Sequence, residues 1–368
     1  MWTYRFRPIQ KEVSLWLTVE AYSPAPEQPV WRRLVYVTLA TCVLMLLLPN
    51  AVVVSDVSHT MMGFEPFPQG GGRTRPAENV GTVWLAEEAG AYDWYSNGLR
   101  VDNAYRVRNE RRFYQMLDRS LGMQPTLDWR SEPVGIVFHT TESPQAPFDP
   151  EQNGNLQRLG RLLLTHIRDN RSYNFVIDRF GRVFRVVDED DAAHHAGNSV
   201  WADGRWALVN LNASFLAIAF EAQGASLTGA QVHAGRLLTQ FLRSKYRIRP
   251  ELCVTHAQVS VNPSNMRIGY HTDWASGFPF NEIGLANNYD LSLSSITDFG
   301  FGYDEVFLKA IGDKIWRGLT QAEEKLAIDA KESGREIAVY RNDLQERYKR
   351  LYGSLKLTGA LDEGLTSR

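Results

Sequence analysis

Between residues 134 and 246, short apolar runs alternate with stretches of helical period, and this alternation restricts the chain more than any other feature. The runs VGIVF (134–138), YNFVID (173–178), RVFRVV (182–187) and FLAIAF (215–220) have the length of strands and are rich in β-branched and aromatic residues. RFG separates the second run from the third, and Gly181 can take the left-handed conformation of a tight hairpin. Residues 153–169 place Leu156, Leu159, Leu163 and Ile167 on one helical face. Thr228 and Gln231 have the spacing of a capping box, which predicts a second helix running to about Tyr246 and ending before Pro250. Strands interleaved with helices predict an α/β fold, a mixed central sheet flanked by helices, over residues 132–285.

The flanks differ in kind. From Leu34 to Val54 no residue is charged, and the run would span about 31 Å as a helix, roughly a bilayer core. Arg32 and Arg33 precede it and Asp56 is the first charge after it, so the positive-inside rule predicts one transmembrane anchor at 34–54. Residues 1–33 would then lie in the cytoplasm, and everything after about residue 55 on the outer side of the membrane. A cleaved signal peptide is the competing reading, against which stand the long lead-in and the lack of a small-x-small site after the leucines. Residues 55–81, rich in Gly and Pro, read as a linker. Residues 82–131 mix aromatic and charged residues, predicting short extended pieces and then a polar helix, in an extension of unassigned role.

The C-terminal extension, 286–368, has a helical pattern. Ile337, Tyr340, Leu344, Tyr348 and Leu351 recur at spacings of three and four, and Thr320 with Glu323 suggests another capping box. The stripe is too short for a convincing coiled coil, so a helical pair packing on the domain is expected. A protein partner held by these helices is the sharper alternative. Forty basic side chains against forty-two acidic ones give a net charge of −2, which argues against nucleic acid as a partner. The two cysteines, Cys42 and Cys253, both lie in apolar runs, which disfavours a disulfide framework.

Three segments carry histidines where chemistry can use them. His139 closes the first run in IVFHTTES, His256 follows another in CVTHAQVS, and His271 and Asp273 lie two apart in YHTDW. Two strand-end histidines and an aspartate make a three-ligand zinc set that leaves a fourth position for water. Such an open site suits hydrolysis of an amide. Glu221, closing FLAIAFE, is the natural carboxylate for proton transfer. Taken alone, these residues indicate a metallohydrolase.

The blocks FHTTE, SYNFVIDRFGRVFRV, HHAGNSVW, FLAIAFE, THAQVS and HTDW, in that order, resemble the type 2 N-acetylmuramoyl-L-alanine amidase family. Its fold is shared with animal peptidoglycan recognition proteins and a phage lysozyme-like amidase. The resemblance covers roughly residues 132–280. It implies Zn2+ held by His139, His256 and Asp273, with Glu221 as the catalytic glutamate and Tyr173 beside the attacking water. His195 and Asn212 match family positions near the cleft and are taken as substrate-side or structural. His271 stands where the phage and cytoplasmic relatives typically carry a lysine that supports the oxyanion. The segment between His256 and Asp273 is longer than in minimal members, which leaves His271 open as the third ligand. The implied function is zinc-dependent hydrolysis of the amide joining N-acetylmuramic acid to L-alanine in bacterial peptidoglycan, with peptidoglycan or its fragments as partner. The alternative is a non-catalytic peptidoglycan-binding module or envelope scaffold of the same fold.

Overall fold

A computed structural model of the chain describes residues 81–224 and 226–357. The expected cytoplasmic tail (1–33), anchor (34–54) and linker (55–81, but for its last residue) lie outside the described residues. Among the described residues no helix is long and apolar enough to cross a membrane.

An eight-stranded mixed sheet organises the rest, in the order β1-β2-β3-β8-β7-β11-β6-β12. Its strands are β1 Leu85–Ala89, β2 Tyr92–Tyr95, β3 Arg100–Asp102, β6 Gly135–Thr140, β7 Phe175–Ile177, β8 Val183–Arg185, β11 Phe215–Phe220 and β12 Cys253–Thr255. A second sheet joins β4 (Leu117–Asp118), β5 (Gln124–Pro125), β9 (Val200–Asp203) and β10 (Trp206–Val209) in the order β5-β4-β10-β9. The strand β11 is the FLAIAF run itself. It is buried throughout and lies parallel to both β6 and β7, the environment that continuous apolar strands require.

Helix α1 (Asn153–Asn170) covers one face of the large sheet and α2 (Gly229–Tyr246) the other. The buried stripe of α1 is Leu156, Gly160, Leu164 and Ile167, one position round from the expected Leu159 and Leu163. Leu164 and Ile167 pack on Val176, Phe184 and Val186. Burying each such side chain contributes about 1.5–3 kcal/mol relative to exposure. The capping box of α2 has both halves, Thr228 accepting from the Gln231 N–H and Gln231 accepting from the Thr228 N–H. In the β7–β8 hairpin Gly181 has φ of 78°, and a Cβ there would lie 2.6 Å from the Ala230 carbonyl oxygen, so both conformation and close approach demand glycine.

Two expectations are corrected. No polar helix forms within 82–131. Instead β1–β3 extend the large sheet through a parallel β3–β8 pair, a turn follows at 103–106, and isolated bridges at Val107, Arg111 and Tyr114 hold the stretch after it. Its arginines face a run of acidic residues after β8. Arg106 and Arg108 pair with Asp188, Arg108 also with Asp191, and Arg111 with Asp190. Likewise Thr320 is not an N-cap, because α4 (Arg317–Glu332) begins a turn earlier behind the Trp316 cap. Trp316 anchors that start by donating from its indole to the Ala275 carbonyl at 3.0 Å, with its ring stacked on Tyr289. Gly318 then passes so close to Leu291 that a Cβ would sit 1.8 Å from its carbonyl oxygen.

Helix α3 (Glu305–Ile311) precedes α4, and α5 (Ile337–Leu357) packs beside α4. The α5 stripe packs within the chain from Tyr340 to Leu351, while Ile337 stays exposed. Leu344 and Tyr348 are buried, and Tyr348 lies edge-on to Phe299 and Phe301. The helical pair therefore rests on its own domain. Cys253 is a buried free thiol on β12.

Candidate metal centre

Strand register brings the two histidines together. The β6–β12 pair is parallel with Phe138 opposite Thr255, so the next residues, His139 and His256, stand side by side. Their rings lie 4.4 Å apart. Asp273 reaches them from the loop after a hairpin, with its backbone carbonyl accepting the Ala257 N–H at 3.2 Å. The next residue, Trp274, is buried with φ of 60°, an uncommon conformation for a bulky residue. It is held by edge contacts to Phe220 and Phe278 and by the Tyr289 hydroxyl on its carbonyl. That strained, pinned residue fixes the direction of Asp273.

The carboxylate spans both histidines. Asp273 Oδ1 is 2.8 Å from His256 Nδ1, and Oδ2 is 3.1 Å from His139 Nδ1. The three residues are buried and offer ligand atoms that all lie within 4.8 Å of one another. A tetrahedral zinc with bonds of ~2.0–2.1 Å sets ligand atoms about 3.3 Å apart. The donor set and its spacing therefore fit that ion with modest adjustment. Burial and the neighbouring His256 pull the His139 imidazole down to about 4, so it is neutral and offers a lone pair. Burial pushes Asp273 up, but His256 and the hydrogen bonds from both histidines outweigh it and hold the carboxyl well below its usual range. The neutral His139 imidazole, the His256 ring beside it and a persistent carboxylate suit a cation.

Between the two candidates for third ligand, Asp273 and not His271 occupies the centre. The His271 N–H donates to Ser260 Oγ at 2.9 Å, and its ring stacks on His256 at 4.7 Å. Desolvation and the His256 charge lower its pKa to about 4, so His271 stands at the rim as a neutral N–H donor.

His195 and Asn212 stand behind the centre. His195 Nδ1 lies 3.1 Å from His139 Nε2, the nitrogen of that ring turned away from Asp273. Such a contact orients a metal-binding imidazole. Asn212 Oδ1 accepts the backbone N–H groups of His195 and Ala196 at 2.9 and 2.6 Å, which places the His195 loop. Tyr173 faces the centre from the other side, its ring 5.1 Å from that of His139, and burial raises its hydroxyl pKa.

Glu221 stands two residues after Ala219, which is in register with His139, and so points to the same face of the sheet. It is buried, and its carboxylate accepts the Arg179 N–H at 3.2 Å. Burial raises its pKa against the opposing Arg179 N–H, the direction wanted in a group that takes and returns a proton. Sequence reasoning missed a second carboxylate, Glu142. Its N–H donates to the Ala222 carbonyl at 3.1 Å, its φ is 47°, and burial with the charge of Asp273 raises its pKa. Strand alternation from His139 does not single out Glu142, which is exposed just past the strand end; the quoted block FHTTE was the available signal.

The floor of the site rests on Arg112, a fully buried arginine of the N-terminal extension. It donates to the carbonyls of Glu189, Ala213 and Phe215 at 2.5, 3.0 and 2.7 Å and to Asn174 Oδ1 at 3.1 Å. One side chain thus ties the segments that carry Tyr173, Asn212 and β11.

Residues 129–273 match the sequence model of a family described as N-acetylmuramoyl-L-alanine amidase. Solved structures similar to this chain include the N-acetylmuramoyl-L-alanine amidase LysC from Clostridium intestinale, at 19% identity and a TM-score of 0.27, over 48% of this chain and 93% of that one. Another is the amidase AmiD from E. coli in complex with an anhydro-muropeptide substrate, at 22% identity and a TM-score of 0.31, over 44% and 59%. Drosophila PGRP-LB aligns at 12% identity and a TM-score of 0.27, over 42% and 79%. No curated protein matches the sequence. The matched stretch starts at Trp129, runs through His139, Tyr173, His195, Asn212, Glu221 and His256, and ends on Asp273, so the match to the N-acetylmuramoyl-L-alanine amidase family spans the same residues as the sequence blocks that resemble it.

Proposed function

We propose that this chain hydrolyses the amide between the lactyl group of N-acetylmuramic acid and L-alanine in bacterial peptidoglycan, with Zn2+ at His139, His256 and Asp273. The observation that carries the reading is the convergence of those three buried side chains beneath a family match ending on the last of them. When bound, zinc would supply Lewis-acid polarisation and a more acidic water. The remaining work falls to the chain itself. Glu221 accepts the proton of the attacking water and returns it to the leaving amine, a role its raised pKa favours. The Tyr173 hydroxyl and a His271 ring N–H donate to the developing oxyanion. His195 holds the far nitrogen of His139, so the Nδ1 lone pair stays aimed inward.

Incubating the full chain with purified peptidoglycan and identifying the products by mass spectrometry tests this. The expected products are free peptides beginning with L-alanine, lost on zinc chelation and restored by added zinc. Binding of the wall without release would place the chain among non-catalytic recognition modules. Release of glycan fragments or cross-link products would leave the fold and overturn the chemistry.

We also propose that residues 34–54 anchor the chain, in a single pass, to the bacterial inner membrane with the amidase domain outside. The uncharged run and the preceding Arg32 and Arg33 support this. Deleting 34–54 is expected to move the chain from the membrane fraction to the soluble one; retention in the membrane would argue against the anchor.

A further inference from the structure

Strand register carries a row of side chains away from the centre. Phe220 is in register with Ile177, Ile177 with Val183 and Val183 with Val101, so the adjacent residues Glu221, Asp178, Arg182 and Arg100 form the next row, on the opposite face. Trp94 is the partner of Arg100 on β2, and beyond it the row reaches Glu87 on the edge strand β1. Neighbouring strands lie ~4.8 Å apart, so the row runs about 19 Å from Glu221 to Trp94 on the face that also holds His139.

Its outer half is exposed and unusual in composition. The Arg100 guanidinium lies 3.6 Å from the Tyr92 ring centroid and 5.3 Å from that of Trp94, and Trp94 is 41% exposed. Arg182 lies 5.4 Å from the Phe180 ring, which in turn contacts Phe148; both phenylalanines are exposed. The Arg182 charge is matched by Asp178 at 2.6 Å. Arg100 has no carboxylate paired with it among the described residues, so its charge is available to a ligand. Exposed aromatic faces beside a free guanidinium suit sugar rings carrying an anionic substituent.

We propose that this strip binds glycan from which peptides have already been removed. The inference rests on the amidase reading. In that reaction water adds across the amide: its oxygen bonds to the lactyl carbon, the C–N bond breaks, and the nitrogen leaves protonated with the peptide. The lactyl group becomes a carboxylate. Each turnover therefore converts a neutral N-acetylmuramic acid residue into an anionic one that matches Arg100, while sugar faces stack on Trp94 and Tyr92. Product glycan held on the same face as Glu221 keeps the next uncut residue near the centre. The enzyme then works along a strand instead of at scattered positions.

The test uses the full chain and peptide-free glycan strands with free lactyl carboxylates as the probe. Wild type is expected to cosediment with them and to lose binding as salt rises. Trp94→Ala/Arg100→Ala is expected to bind at least about tenfold more weakly, and Arg100→Gln alone to lose most of the salt dependence. Glycan whose carboxylates have been converted to neutral amides should bind wild type no better than the double variant does. In hydrolysis, the ratio of kcat/KM on long strands to kcat/KM on a single-disaccharide muropeptide should fall about tenfold in the double variant. Equal binding by wild type and both variants, at matched thermal midpoints, overturns the strip. If wild type binds the glycan in this way but cuts neither substrate, the amidase reading falls and the strip stands.

Discussion

Replacing Glu221 by glutamine is expected to lower kcat by about 10²–10⁴-fold while raising, not lowering, the thermal midpoint near pH 7. The carboxylate is buried and its pKa is raised, mainly by that burial. Ionising it therefore costs more in the folded state than in the unfolded one. The wild-type contribution is most favourable below the unfolded value, about 4.3, and is lost as pH rises through the folded value. Glutamine keeps an acceptor for the Arg179 N–H and carries no such cost. The stability advantage of Glu221→Gln should thus be present at neutral pH and vanish below about pH 4. Melting curves across that window, with initial rates on the same preparations, check both halves. A variant that stays active, or that melts below wild type at neutral pH, would falsify the assignment of Glu221 as a buried proton-transfer group.

Arg112→Ala is expected to destabilise the fold by roughly 3–5 kcal/mol, the range for removing one partner from a buried polar network. Truncation would leave the carbonyls of Glu189, Ala213 and Phe215 and the Asn174 amide oxygen without this donor, in a site water does not reach freely. Burial lowers the Arg112 pKa to about 10, still well above neutrality, so the charge persists at working pH. Denaturant titration should show an earlier midpoint at an unchanged slope. Because Arg112 lies under Tyr173 and the Asn212 loop, activity should fall at temperatures where most of the variant is still folded. A loss below about 1 kcal/mol would mean that the surrounding backbone closes over the gap.

The parts of the fold visible in the sequence were those governed by short-range rules. FLAIAF reads as a buried strand because both faces are covered, so no polar alternation interrupts it. The Thr228–Gln231 box lies within four residues and does not depend on the rest of the chain. His139 and His256 were legible as candidates because each follows an apolar run. Their pairing became visible only through the β6–β12 register. What was hidden depends on distant partners. The Arg106–Arg112 stretch resembles a polar helix until Asp188, Glu189 and Asp191 are placed opposite it. Thr320 looks like a cap until Trp316 finds Ala275. Glu142 could not be read from alternation, because it lies beyond the strand end with a left-handed backbone where the two-residue period no longer applies.

The parallel pairing of β3 with β8 has a consequence for how the chain reaches this state. Some eighty residues separate Val101 from its partner Val183, so strands β1–β3 leave the ribosome long before the edge they join has been made. Until then they form an isolated meander, which is at best marginally stable, with one ladder unsatisfied. Closing the sheet must await synthesis of the β7–β8 hairpin, and so large a loop is slow to close. A newly made chain therefore passes through a period in which Val101 and the aromatic side chains of β2 are open to other polypeptides. Protection of that meander by a chaperone becomes a condition for high yield, because α2, which packs on it through Phe241 against Tyr95, is made later still.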